Sequence, residues 1–232
     1  MITFYDDATG EQTRLTAAEL GAWAAATADL LTTGCGLRRG SRAGVLLPPH
    51  WQTAAVLLGA WAAGIEVSFR GWGAAGLSPD TGPTLDVTFV ERRRVGSWLE
   101  DVPPAGHRFV LGLAPDGGPT PDVPPDYRDF APAARARLGV PPPPPGGVEA
   151  GAAATVDGTT FGEYGAAAAG IAAARGFGAG DRILVDTAAC EEPLIWLMAP
   201  LTAGASIVLC ANLDRSRLDA RIAAEGVTGM LC

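Results

Sequence analysis

Hydrophobic residues recur at helical spacing near the start of the chain. Thr16 and Glu19, three residues apart, have the pattern of a capping box at a helix N-terminus. The residues that follow at helical spacing are Leu20, Trp23, Thr27, Leu30 and Leu31. Gly34 and Gly36 end the pattern, so the sequence predicts a first helix from Ala17 to Thr33.

Short, unbroken apolar runs then alternate with helical segments. Ala43–Leu47, ended by two prolines, has the pattern of a strand buried on both faces. A helix is predicted over Trp51–Ala63 and a further strand over Ile65–Phe69. Strand, helix and strand in this order imply a parallel sheet. Further along, the predicted elements are a strand at Leu85–Val90, a short helix through Trp98 and Leu99, and a strand at Phe109–Leu113.

A stretch rich in proline, glycine and aspartate divides the chain. It runs from Ala114 to Gly147 and includes five consecutive prolines, Pro141–Pro145, which favour an extended spacer. Only Tyr127–Leu138 has the composition of a packed segment. The predicted organisation is a first α/β unit at 1–113, a connector at 114–150 and a second α/β unit at 151–232, the two units packed as one globular body.

The second half repeats the first. A second capping box at Thr160 and Glu163 opens a helix that runs to Arg175. Arg42 and Gly64 are 22 residues apart, as are Arg182 and Gly204, and each glycine separates an apolar helix from a strand. Such self-similarity indicates repeated supersecondary units. The remaining elements predicted in this half are strands at Ile183–Val185, Ser206–Cys210 and Val227–Leu231 and a helix at Arg215–Ala224.

The charge balance restricts the partners of the chain. All 17 basic residues are arginine, against 25 acidic residues, and the formal net charge is −8. Because phosphate backbones are bound by basic surfaces, nucleic acid is not an expected partner. Without a lysine, no reaction of this chain can use a lysine side chain.

Cysteine usage and hydropathy indicate a cytoplasmic protein without a metal site. The four cysteines are Cys35, Cys190, Cys210 and Cys232; none forms a C-x-x-C motif, and the chain has two histidines. We expect free thiols in a reducing compartment. The N-terminus lacks the pattern of a signal peptide, and the apolar stretch Ala54–Ile65 is too short to cross a bilayer.

Two ordered segments resemble the adenylate-forming enzymes, the superfamily of acyl-CoA synthetases, luciferases and peptide-synthetase adenylation domains. The first is Leu15–Leu20 followed by Gly36–Arg42 and Val45–Pro48, which is similar to the family's "lTyaEL … Gl.pGDrV.lllpN" opening. The second is Gly180–Arg182 followed by Ala199–Leu201 and Ala203–Ala205. The resemblance implies two pseudo-repeated α/β units with mostly parallel sheets and helices packed between and around them, like the N-terminal subdomains of acyl-CoA synthetases.

The family's phosphate-binding loop, approximately S-G-T-T-G-x-P-K, has a weak candidate here. Gly158, Thr159 and Thr160 match its centre, and they are the candidate cofactor-binding residues. Tyr164 stands where the lysine would fall, and the neighbouring carboxylates Asp157 and Glu163 would repel a triphosphate. In a rival alignment, which we favour, Thr160 caps the next helix and Gly147–Ala152 is an eroded loop.

Other departures from the family pattern point away from adenylation. Cys190-Glu191-Glu192 stands where the family often has a histidine, and the sequence stops before the family's adenine, metal and ribose contacts and its catalytic lysine. We therefore expect no catalytic residue, no metal and no cofactor that is turned over, although ATP or AMP could bind. The expected role is a non-catalytic ligand-binding or scaffold protein, with a second copy or another protein chain as partner. The alternative is an acyl-activating ligase that keeps a remnant nucleotide or acyl site and either uses arginine in place of lysine or is completed by another chain.

Two further groups have a possible chemical role. Cys190 follows a strand, where parallel sheets bind ligands, and His50 is its equivalent in the first repeat. We favour a buried thiol over a nucleophile. The run Arg92-Arg93-Arg94 could bind an anion, but a solvated helix face is favoured.

Overall fold

The protein is described by a computed structural model that covers residues 1–71, 84–97, 102–141 and 147–231. Its strands are β1 (Ile2–Asp6), β2 (Glu11–Leu15), β3 (Arg42–Leu46), β4 (Glu66–Phe69), β5 (Leu85–Glu91), β6 (Ala105–Leu111), β7 (Arg128–Asp129), β8 (Arg182–Asp186), β9 (Ser206–Ala211) and β10 (Gly229–Leu231). Its α-helices are α1 (Ala17–Asp29), α2 (Trp51–Ala62), α3 (Phe130–Arg135), α4 (Phe161–Arg175), α5 (Ala199–Thr202) and α6 (Leu218–Glu225). Wider π-helical turns extend α1 over Leu30–Gly34 and precede α5 over Leu194–Met198.

The strands form two sheets of five. Sheet I has the order β4-β3-β5-β6-β7 and is parallel throughout. Sheet II has the order β10-β8-β9-β1-β2, in which only β1 and β2 are antiparallel. The predicted fold class, α/β with mostly parallel sheets, is confirmed.

The contacts group the chain into two compact units that do not coincide with the predicted segments 1–113, 114–150 and 151–232. One unit contains Met1–Leu20, Pro49–Trp51 and Gly162–Cys232, and the other contains Gly21–Pro48 and Gln52–Phe161. The difference has two causes. The first strand pairs with β9 from the second half. The 114–150 stretch contributes β7 to sheet I and the helix α3 that directly follows it.

The repeat predicted from glycine spacing has a counterpart in the backbone. In each repeat, the strand before the connecting helix lies between the two strands that follow it in the chain: β4-β3-β5 in sheet I and β9-β8-β10 in sheet II. Gly64 and Gly204 end the connecting helices with φ of 71° and 74°, a left-handed conformation that glycine adopts without strain. Gly40 N–H donates to the Gly64 carbonyl (3.0 Å), and Gly180 N–H donates to that of Gly204 (3.4 Å).

The N-terminal β-hairpin was absent from the sequence prediction. β1 buries Ile2 and Phe4, whereas β2 is EQTRL, in which only Leu15 is buried. The sequence signal for this hairpin is a short alternation of apolar and polar residues on either side of the turn at residues 7–10. The first capping box is confirmed, since Thr16 N–H donates to Glu19 Oε2 (2.8 Å) and Glu19 N–H donates to Thr16 Oγ1 (3.2 Å).

Most other predicted elements agree with the structure to within a few residues. The helix predicted at Arg215–Ala224 is a 3-10 turn followed by α6. The packed segment predicted at Tyr127–Leu138 contains β7 and α3. The predicted helix through Trp98 and Leu99 and most of the proline run lie outside the described residues. Within the described ranges, no helix combines the length and apolar character needed to cross a membrane.

Candidate functional site

The candidate loop Gly158–Thr160 is the tip of a short hairpin against the edge of sheet I. Ala153 and Thr160 form an antiparallel bridge, and Thr155 forms a parallel bridge with Val67 of β4. Val67 N–H donates to the Ala154 carbonyl (2.9 Å), which also accepts from the Trp61 indole (3.1 Å). Ala154 is fully buried. These contacts hold the base of the hairpin in place while its tip at Gly158 is exposed.

The side chain of Asp157 folds back into this turn. Its Oδ1 accepts from Thr155 Oγ1 (2.5 Å), from Thr159 N–H (3.1 Å) and from Thr159 Oγ1 (3.0 Å). These hydrogen bonds, that from Thr155 first, lower the pKa of Asp157. The Asp157 carboxylate thus occupies an amide and two hydroxyls of the kind that hold phosphate oxygens in a glycine-rich loop.

The helix that follows begins directly after this turn. α4 starts at Phe161, so Thr160 stands at the position before the first helical residue. Phe161 N–H donates to the Ala152 carbonyl (2.9 Å), and Ala152 N–H donates to that of Glu149 (3.0 Å). The rival loop, Gly147–Ala152, therefore contains a turn that leads into the hairpin.

His50 is buried in the unit that contains sheet II. Its ring lies edge-on to Phe4, with centroids 4.4 Å apart, and beside Trp51 at 5.6 Å. Burial lowers the pKa of His50 to about 3, although the charge of Asp6 opposes the shift. The imidazole is therefore neutral at physiological pH.

Cys190 is also buried, with 3% of its surface exposed. Its N–H donates to the carbonyl of Asp186 at the end of β8 (3.0 Å). Next to it, burial raises the pKa of Glu192. The burial of the thiol agrees with the interpretation that we favoured, and a Cys190–His50 pair stays a hypothesis.

The three arginines of the run Arg92–Arg94 follow β5, and each has a different environment. Arg92 Nε donates to the Asp122 carbonyl (2.9 Å), and Arg93 forms an ion pair with Glu91. Arg94 is fully buried, and its Nη1 donates to the carbonyl of Arg70, just after β4 (2.8 Å). The prediction of a solvated face is therefore wrong for Arg94. Since β3 lies between β4 and β5, Arg94 crosses the end of β3, where the strand order reverses and parallel sheets bind ligands.

Sequence reasoning missed an ionic cluster around a buried glutamate in the unit that contains sheet II. Glu225 is 7% exposed, accepts from Tyr5 Oη (2.5 Å) and forms ion pairs with Arg14 and Arg182. The donors come from β1, β2 and β8. Because β1 and β2 are far from β8 in the sequence, no local sequence pattern predicts the cluster. Near it, Arg221 binds Asp7 with both terminal nitrogens, at 2.9 and 2.5 Å. These contacts fasten α6 to the sheet.

No metal centre is assembled by the part of the chain that the structure describes, where no three His, Cys, Asp or Glu side chains could hold an ion together.

Comparison with known proteins identifies the family. No protein-family model matches the chain. A protein of Mycobacterium tuberculosis described as a TIGR03089 family protein is 38% identical over 236 residues, which is 99% of this chain and 90% of that protein. The chain belongs to the TIGR03089 family. Residues 1–232 therefore correspond to most of the length of this relative.

Solved structures place this TIGR03089 family member in the fold of adenylate-forming ligases. An acyl-CoA synthetase of Brucella canis superposes with a TM-score of 0.72 at 16% identity, over 99% of this chain and 43% of that one. The N-terminal domain of FACL13 from Mycobacterium tuberculosis gives 0.68 at 17% identity, over 97% and 57%. MbtA of Mycobacterium smegmatis gives 0.67 at 20% identity, over 98% and 44%. The chain spans about half the length of these proteins, and the predicted resemblance to their N-terminal region is confirmed for the fold.

Proposed function

We propose that this chain is a non-catalytic, ligand-binding or scaffold member of the adenylate-forming superfamily. The proposal rests on one observation, the Asp157 carboxylate that accepts three hydrogen bonds inside the candidate phosphate loop. A phosphate at this turn would have to displace a bound carboxylate. It would then lie beside that negative charge, which is unfavourable at contact distance.

Composition supports the same proposal. Adenylation builds charge on the transferring phosphates, and enzymes stabilise that charge with Mg²⁺ and cationic side chains. The chain has no lysine to serve at this loop. Gly158, Thr159 and Thr160 are thus proposed to form a turn, and ATP or AMP is not expected to be turned over.

The test is pyrophosphate exchange, which reports formation of an acyl-adenylate. We expect no exchange above a protein-free blank with ATP·Mg²⁺ and a panel of acetate, benzoate and long-chain fatty acids. Titration calorimetry with ATP·Mg²⁺, AMP and a fatty acyl-CoA measures binding in the same preparation. The Thr159→Ala variant, purified in parallel, identifies exchange caused by a contaminating ligase, because such exchange would not depend on Thr159.

Exchange that is present in the parent protein and lost in Thr159→Ala would overturn the proposal. It would support the alternative, an acyl-activating ligase. Exchange that appears only when a second chain is added would support a ligase completed by a partner.

The proposed cell compartment and partners are based on the composition of the chain. We propose a cytoplasmic protein whose partner is a second copy or another protein chain, with neither nucleic acid nor membrane as a partner. The net charge of −8 supports the exclusion of nucleic acid.

A further inference from the structure

A small cavity lies among α1, the end of α2 and the segment after α3, within the unit that contains sheet I. Its volume is about 320 Å³, which is at the lower end of the roughly 300–1,000 Å³ of small-molecule sites. The lining consists of Ala25, Ala28, Asp29, Thr32, Arg39, Ala62, Ala63, Val140 and Pro141. Four of these nine residues are alanine, and together with Val140 and Pro141 they form the apolar part of the wall.

The polar groups of the wall leave one uncompensated positive charge. Asp29 forms an ion pair with Arg137 and accepts from Thr33 Oγ1 (2.8 Å). Thr32 Oγ1 donates to the Ala28 carbonyl (2.8 Å). Across the described residues, no carboxylate lies within ion-pair distance of Arg39. Because Asp29 and Arg137 neutralise each other, Arg39 is the lining residue whose charge is available to an anionic ligand.

The stem of Arg39 is held by the end of α2. A Cβ built on Gly64 would lie 2.8 Å from Arg39 Cγ, so the side chain packs across this glycine. Gly40 N–H also donates to the Gly64 carbonyl (3.0 Å). The aliphatic part of the Arg39 side chain is thus packed against the end of α2, whereas the residue as a whole is exposed.

The internal repeat provides a comparison for this position. In the second half, the equivalent of Gly64 is Gly204, and a Cβ built there would lie 3.6 Å from Ala179. Ala179 stands where Arg39 stands in the first half, one residue before Gly180 and Gly40. The same turn therefore forms with alanine, and the fold does not require a cation at Arg39.

We propose that this cavity binds a small monocarboxylate with a short apolar or aromatic body. A guanidinium matches a carboxylate through two parallel hydrogen bonds, and the alanine, valine and proline side chains of the wall fit an apolar body. A phosphate dianion would need a second cation that the wall does not supply. The cavity is separate from the Gly158–Thr160 turn. A test of carboxylate binding is therefore independent of the proposed loss of adenylation.

The experiment is a titration of the full chain with benzoate, followed by calorimetry or protein-detected NMR, with the neutral isostere benzamide as ligand control. We expect saturable benzoate binding in the millimolar range and none for benzamide. Arg39→Ala should weaken benzoate at least about tenfold. Arg38→Ala, a neighbouring arginine outside the cavity wall, should leave binding unchanged. Ala63→Leu should abolish binding by filling the cavity.

Circular dichroism of each variant confirms folding, and the second repeat indicates that Arg39→Ala folds. The proposal is overturned if benzoate does not saturate, if benzamide binds as tightly, or if Arg38→Ala and Arg39→Ala weaken binding equally, because the last result would show only general charge attraction.

Discussion

The burial of His50 bears on the stability of the folded protein in mild acid. Its pKa is lowered by burial to about 3 in the folded state, whereas an unfolded histidine titrates near 6.5. Between these values the unfolded chain binds a proton that the folded chain does not. His50 therefore costs nothing above about pH 6.5 and destabilises the fold progressively as the pH falls below it.

We predict that the free energy of unfolding falls by up to about 1.4 kcal/mol per pH unit below pH 6.5. His50→Asn should remove most of this slope. Urea unfolding at about pH 7.5 and 5.5, the window in which histidine titrates, measures it for both proteins. The pKa values of Asp7 and Asp29 are lowered, so these groups stay charged in this window, whereas the raised pKa of Glu192 acts in the opposite direction. Equal slopes in the two proteins would show that His50 is not the responsible group.

Other residue-scale features lay beyond sequence reasoning. The sequence predicts the turn at Gly158 and the repulsion between Asp157 and a phosphate. That its carboxylate turns inward and accepts from Thr155 and Thr159 depends on side-chain geometry that residue type does not specify. Arg94 was assigned to a solvated face because arginine is almost never fully buried unless paired.

At the scale of elements, the contact between α1 and α2 depends on one glycine. A Cβ built on Gly59 would lie 2.5 Å from Thr27 Cβ and 2.7 Å from the Ala24 carbonyl oxygen. The latter is backbone and cannot move aside without shifting the helix. Close approach of the two helices therefore requires glycine at this position.

We predict that Gly59→Ala lowers the free energy of unfolding by about 1–3 kcal/mol, the usual cost of overpacking a core. Gly21→Ala in α1 is the matched control, since nothing lies within 4 Å of its built Cβ. This control should be neutral or stabilising by up to about 1 kcal/mol, because alanine is the better helix former. Urea denaturation of both variants measures the difference, and a Gly59→Ala protein as stable as the parent would contradict the close contact.

At the scale of the whole molecule, the exposed surface of α4 is a candidate surface for association with another protein chain. Only Ala168 and Ala172 of this helix are buried, and the sequence from Tyr164 to Ala174 carries no charged side chain. Uncharged, small side chains allow close approach of another helix. This surface is compatible with the expected partner, either a second copy or another chain, which stays a prediction.

Light scattering coupled to size-exclusion chromatography is expected to give twice the mass of the chain. Ala169→Arg, on the exposed part of α4, should shift the protein to monomer, whereas Ala223→Arg on the exposed part of α6 should not. A monomer in the parent protein over the whole accessible concentration range would refute the dimer.

The sequence by itself determined the α/β class, most helices and strands, and the repeat marked by Gly64 and Gly204. These features are local: helical spacing, apolar runs and glycines with positive φ act over a few residues. Only the tertiary structure decided that β1 pairs with β9, that Glu225 gathers Arg14 and Arg182, and that Arg94 crosses the end of β3. Such contacts join segments distant in the chain, and their partners are chosen by packing and desolvation of the whole fold rather than by any pattern within one segment.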